Sequence, residues 1–253
     1  MTHRTIHPIW KSHYRIQALD ADLMSLAKVS ALCNYFQESA GQHADLLGVG
    51  YASLINKGML WILSRLCIHI EAYPILGEEI VLKTWPTGTN GLFALRNFTI
   101  SRANGQTVIK GTSAWLVIEK DSRRPLRDLS ALLKNVPANP LPADEGIDIP
   151  KLRSVQGLTK TGTITARYSD LDANAHVNNN RYIEWTTDAF DAEWYRTKRI
   201  HDLVISFLTE LRDGDTLDIL KLQTGQDIYQ VEGHNVNSGE IVFRSQVSFT
   251  DYF

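Results

Sequence analysis

The stretch Tyr168-Ser169-Asp170-Leu171-Asp172-Ala173-Asn174-Ala175-His176-Val177-Asn178-Asn179-Asn180-Arg181-Tyr182 lies where a strand pattern gives way to a helical one. Shifted back by 150 residues (170 − 20), its Asp170-x-Asp172 falls on Asp20-x-Asp22, again at a strand-to-helix junction. The elements around the two junctions follow the same order. Upstream of the first, residues 14–20 read as a short strand. Downstream, Val29, Leu32, Cys33, Phe36 and Ala40 form a helical stripe in a helix running from Leu26 toward Gly48 and Gly50. Strand patterns follow at 61–71, 79–85, 92–101 and 107–119. In the first, Ile62, Leu66, Ile68 and Ile70 share a face; Asn104-Gly105 marks a hairpin between the last two.

Around the second junction, a strand at 161–168 precedes a helix from about His176, with Tyr182, Trp185 and Ala189 on one stripe. Strands follow at 201–211, 215–223, 227–236 and 240–250. Between the copies, 120–157 holds five prolines (Pro125, Pro137, Pro140, Pro142, Pro150), with a short helix predicted at 128–135. The expected organisation is an N-terminal unit 1–121, a linker 122–157 and a C-terminal unit 158–253. Each unit is a long helix lying on an antiparallel sheet, an α+β class. A lone copy leaves a sheet edge open, which pairing of the copies would cover.

The copies differ where chemistry is possible. Met24 stands opposite Asn174 and Leu26 opposite His176, so one unit is greasy where the other is polar. The asymmetry points to one chemical centre per chain. Asp172, Asn174 and His176 sit at alternate positions, which in an extended stretch would place all three on one side. Imidazole titrates near neutrality and exchanges protons at working pH. A helix start at Val177 and Asn178 would offer backbone N–H groups to an oxyanion. Asp and Asn before a helix are also ordinary N-caps. Three consecutive asparagines exceed what one cap needs and lower helix propensity.

The 253 residues carry a net charge of −2 and 43% hydrophobic residues, enough for a full core, with no global attraction to nucleic acid. The longest apolar runs fall short of the ~20 residues of a membrane span. The first residues show no apolar signal region, so a cytoplasmic protein is expected. Cys33 and Cys67 cannot make a disulfide framework or a zinc knuckle. The scattered histidines and the lack of a Gly-rich phosphate loop predict no metal and no nucleotide cofactor.

The run Asp172-x-Asn174-x-His176-Val177-Asn178-Asn179-x-x-Tyr182-x-x-Trp185 resembles the signature of acyl-acyl-carrier-protein (acyl-ACP) thioesterases, which are double hotdog proteins. A shorter form of it is shared with single-hotdog acyl-CoA thioesterases. Gly58-Met59-Leu60-Trp61-Ile62-Leu63-Ser64-Arg65-Leu66, and Thr84-Trp85-Pro86 through Ala94-Leu95-Arg96-Asn97-Phe98, are similar to further segments of the carrier-protein group. The resemblance implies a tandem hotdog fold and release of free fatty acid from acyl carrier protein. It also implies a catalytic glutamate at Glu210, in Phe207-Leu208-Thr209-Glu210-Leu211-Arg212-Asp213-Gly214. The implied site is Asp172, Asn174, His176 and Glu210, with Val177 and Asn178 N–H groups on the oxyanion and no cofactor. Met24, Leu26, Trp61 and Leu63 are expected to line an acyl pocket in the first unit. Leu211 stands where plant members often have cysteine, which disfavours a thiol mechanism, and Asn97 stands where aspartate is usual. The absence of a transit peptide suggests a bacterial member. The expected partner is acidic acyl carrier protein, docking on Arg123, Arg124 and Arg127 or on Arg196, Lys198 and Arg199, to a monomer or homodimer. An acyl-CoA thioesterase, a dehydratase of the same superfamily and a non-catalytic acyl-binding module are the rival readings.

Overall fold

A computed structural model describes residues 7–137 and 146–252. Pro140 and Pro142 of the expected linker, and the N-terminal Met1–Ile6, lie outside the described residues. The chain divides into two compact units, Met1–Ser64 with Glu71–Asp148, and Arg65–Ile70 with Ile149–Phe253.

The first unit contains β1 (Trp10–Arg15), α1 (Val29–Leu46), α2 (Tyr51–Ile55), the first half of β2 (Met59–Ile70), β3 (Glu79–Asn90), β4 (Phe93–Arg102), β5 (Thr107–Glu119) and α3 (Ser130–Leu133). Its strands are ordered β1-β3-β4-β5-β2, with β1–β3, β3–β4 and β4–β5 antiparallel. The predicted stripe Val29, Leu32, Cys33, Phe36 and Ala40 is buried, and Phe36 stacks on Phe98 of β4 at 4.4 Å. Helix α1 thus covers the sheet with the face its 3.6-residue period supplies.

The second unit contains Arg65–Ile70, β6 (Thr159–Thr165), α4 (Asn179–Thr187), α5 (Trp194–Thr197), β7 (Lys198–Phe207), β8 (Thr216–Gly225), β9 (Ile228–Asn235) and β10 (Ile241–Asp251). Its order is β2-β7-β10-β9-β8-β6, antiparallel throughout. Tyr182 and Trp185 of α4 pack into a buried aromatic cluster with Phe243.

The differences from the sequence expectations have local causes. The first strand ends at Arg15 because Gln17–Asp20 turns, the Asp20 carboxylate accepting the Gln17 N–H at 3.1 Å. Strand β3 runs past Pro86 to Asn90, since a register irregularity between Pro86 and Gly88 accommodates the missing N–H. The second helix is short rather than long: α4 has 9 residues against 18 in α1 and stops before Ala189. Beyond it, Phe190 and Trp194 turn into a cluster with Phe249, at 4.8 and 5.5 Å. Burial of these rings replaces the rest of the helix.

Candidate active site

The second junction is a closed loop, not an extended stretch. The Asp172 N–H donates to the His176 carbonyl at 2.8 Å, and Ala175 takes a positive φ of 60°. The Asp172 carboxylate Oδ1 accepts the Asn174 N–H at 2.7 Å and the His176 N–H at 3.3 Å. Alternation therefore does not aim these side chains; the hydrogen-bonded turn does. Asn178, not His176, is the N-cap of α4, its side chain accepting the Asn180 N–H at 2.9 Å.

The first junction builds the same loop, bond for bond. Asp22 N–H donates to the Leu26 carbonyl at 2.7 Å, and Asp22 Oδ1 accepts the N–H groups of Met24 (2.8 Å) and Leu26 (3.0 Å). Ser25 has φ 61° where Ala175 has 60°. Lys28 N–H reaches the Asp20 carbonyl as Asn178 N–H reaches that of Asp170. Ala27 N–H donates to Pro74 and Val177 N–H to Leu211, which makes Tyr73 the counterpart of Glu210. The first unit keeps the loop-closing aspartate but has Met24, Leu26 and Tyr73 where the second has Asn174, His176 and Glu210. Asp172 belongs to the architecture shared by both loops; the other three are what the second unit adds.

Leu211 is the clamp that sequence reasoning missed. Its carbonyl accepts the Val177 N–H at 2.9 Å, and its backbone also bonds the phenol of buried Tyr182. Burial, together with the charges of Glu210 and Asp172, pushes that phenol up. Held from loop and helix, the chain at 210–211 sets Glu210 Oε2 3.4 Å from His176 Nε2. The imidazole side chain is 20% exposed and the carboxylate 37%, so both are open to solvent on one side. The residue pairing of an imidazole with a carboxylate can accept a proton from water and return it to a leaving group.

Two expectations need correcting. Val177 N–H is spent on the Leu211 carbonyl and Asn178 N–H on that of Asp170, at 2.9 and 2.8 Å, so neither points freely at an oxyanion. Both precede the helix rather than heading it, which is why they are bonded. Two of the second docking set are also consumed: Arg199 is buried with its guanidinium over Tyr252, and Lys198 pairs with Asp227 and Asp251, whereas Arg196 stays exposed beside Glu193. Arg123, Arg124 and Arg127 remain exposed.

The first unit holds a cavity of about 590 Å³ walled by Leu47, Val49, Trp61, Ala94, Trp115 and Leu129. Of the four expected pocket residues only Trp61 lines it. Met24 lies half-exposed on the Asp22 loop, whereas Leu26 and Leu63 are buried in the core. Trp61 is fixed by an N–H bond to the Val49 carbonyl at 2.7 Å. Arg96, also on the wall and buried, donates to His43 Nδ1 at 3.1 Å and Thr84 at 3.2 Å. Burial and the neighbouring guanidinium hold His43 down to about 4, so it is neutral and donates from Nε2 to the His7 carbonyl. Asn97, on the opposite face of β4 from Arg96, accepts from Thr112 at 3.1 Å. Both thiols, Cys33 and Cys67, are buried. Among the described residues no helix is long and apolar enough to cross a membrane.

Comparison with known proteins gives a consistent result. The family model for the acyl-ACP thioesterase N-terminal domain matches residues 8–135, and that for the C-terminal domain matches 156–251. An acyl-ACP thioesterase from Bacteroides thetaiotaomicron superposes with a TM-score of 0.88 at 30% identity, covering 96% of this chain and 98% of that one. The 12:0-ACP thioesterase from Umbellularia californica shares the fold, with TM-score 0.82 at 19% identity over 97% and 98% of the two chains. Palmitoyl-acyl carrier protein thioesterase from Arabidopsis thaliana is 25% identical over 248 residues, 92% of this chain and 58% of that protein. The chain spans a little over half the length of the first curated relatives it matches.

Proposed function

Because the chain belongs to the acyl-ACP thioesterase family, a tandem hotdog group, we propose that it hydrolyses the thioester of a fatty acyl chain on acyl carrier protein. The products are free fatty acid, as in fatty acid biosynthesis, and the carrier's thiol. The observation that carries this reading is the 3.4 Å approach of His176 Nε2 to Glu210 Oε2, at a junction whose twin in the first unit has Leu26 and Tyr73 instead.

Glu210, His176 and Asn174 bind a water molecule, and the imidazole–carboxylate pair takes its proton as the oxygen attacks the acyl carbon. With Val177 and Asn178 N–H groups occupied, the oxyanion falls to the Asn174 carboxamide and the protonated His176. As the C–S bond breaks, the proton passes to the departing sulfur. Asp172 orients the loop. The cavity of about 590 Å³ falls within the range of roughly 300–1,000 Å³ usual for small-ligand sites, and its apolar wall suits the acyl chain. Arg123, Arg124 and Arg127 suit an acidic carrier, Arg127 also lining that cavity.

The test is product analysis on matched thioesters of carrier protein and of CoA, from short to long chains, with His176→Ala as the control. Carrier-protein thioesters should be preferred, and the variant should lose at least ~10²-fold in turnover while remaining folded. Equal or faster CoA turnover would favour the acyl-CoA reading; acyl binding without hydrolysis would favour a non-catalytic module.

A further inference from the structure

Three side chains outside the His176 centre meet in the second unit. Strand β7 carries an extra residue against β10: Ser248 pairs with Asp202 and Phe249 with Ile200, leaving His201 between them. Strand alternation would send His201 and Asp202 to opposite faces, but a bulge turns two consecutive side chains the same way. On the other side of β7, Asp202 lies directly opposite His69. Asp202 Oδ1 accepts from His69 Nδ1 at 2.7 Å, and Oδ2 from His201 Nδ1 at 2.8 Å. The two rings stand edge-on, 4.4 Å apart.

We propose that His69, His201 and Asp202 form a binding site for a divalent transition cation of the zinc type. Their ligand atoms already lie within 4.8 Å of one another, and among the described residues no other such trio does. Two imidazoles and a carboxylate suit zinc and its first-row neighbours rather than calcium or magnesium, which take oxygen ligands. Tetrahedral bonds of about 2.0–2.1 Å place ligand atoms about 3.3 Å apart, so the carboxylate–imidazole gaps open by about half an ångström. The side chains are 33%, 41% and 43% exposed, which leaves an entry path and a coordination position for water. Ser248 supplies the outer support: its hydroxyl donates to Asp202 Oδ2 at 2.8 Å and accepts the Asp202 N–H at 3.1 Å. In the ion-free form both Nδ1–H groups face the carboxylate. Binding moves each proton to Nε2, freeing the Nδ1 lone pair; an imidazolium would release its extra proton.

The experiment titrates Zn²⁺, with Mg²⁺ in parallel, into chelator-stripped full-length protein bearing no histidine tag, and follows heat. Saturation by a single equivalent of Zn²⁺ and no heat from Mg²⁺ is expected. His69→Ala and His201→Ala should each weaken binding by more than tenfold, and Ser248→Ala by about tenfold. Asp202→Asn, which keeps the side chain's shape, repeats the test should an alanine variant unfold. Absence of saturable Zn²⁺ binding overturns the proposal. So does binding that survives both histidine variants, or that disappears with His176→Ala instead.

Discussion

Replacing Asp172 separates its two conceivable roles. Asp172→Ala removes the acceptor for the N–H groups of Asn174 (2.7 Å) and His176 (3.3 Å). A charge-assisted bond contributes about 1.5–3 kcal/mol, less for a long or half-exposed one, so the pair holds the loop by about 2–3 kcal/mol. The thermal midpoint should fall by about 5–10 °C, and the released imidazole should cost roughly 10²-fold in turnover of acyl-ACP. Asp172→Asn keeps an Oδ1 acceptor in the same place and loses only the charge, about half of each bond. If Asp172 only positions, its asparagine variant stays within about tenfold of the parent, as ~1 kcal/mol dictates. Asp22 provides the calibration, because it closes the same loop with bonds of 2.8 and 3.0 Å where no imidazole stands. Asp22→Ala should lower the midpoint by the same amount as Asp172→Ala. The assays are thermal unfolding and single-substrate turnover on each variant. An asparagine variant as inactive as the alanine one, with an intact midpoint, would refute the positioning role and put the ionised carboxylate into the proton transfers.

His43 gives a pH signature: its value falls from 6.5 to about 4 on folding, so the unfolded chain binds more protons between those limits. Stability is complete above about pH 6.5 and declines by about 3 kcal/mol as pH drops toward 4; His43→Gln should flatten that window in pH-dependent unfolding. Gly233→Ala would drive a Cβ into the Phe243 ring and to 2.8 Å from Leu217. Because Phe243 packs on Tyr182 at 5.5 Å, the cost should be about 1–3 kcal/mol by denaturant unfolding, with a loss of turnover beside it. If Arg123, Arg124 and Arg127 steer the carrier, KM for acyl-ACP rises with ionic strength and an Arg127→Ala variant reduces that slope; a flat salt profile rejects the docking surface.

The duplication was legible in the residues themselves. Asp20-x-Asp22 and Asp170-x-Asp172 recur at one spacing, and short-range periodicity placed α1 and the strands after β1 within a few residues, except that β3 runs on past Pro86 to Asn90. The apolar replacement of Asn174 and His176 in the first copy was equally visible there. Sequence did not show how the polar atoms would be spent. The loop at 172–177 looked extended because alternation is all a linear pattern displays, whereas Asp172 folds it back through bonds to its own neighbours. The expected oxyanion donors were lost to the carbonyls of Leu211 and Asp170, and the first of these lies 34 residues from Val177 (211 − 177). His69 and His201 are 132 residues apart (201 − 69), and only a strand pairing plus a one-residue bulge brings both to Asp202. Periodicity fixes which face of an element is buried, since that depends on near neighbours alone. Which donor meets which acceptor depends on register between distant strands, and that is settled only when the sheets assemble.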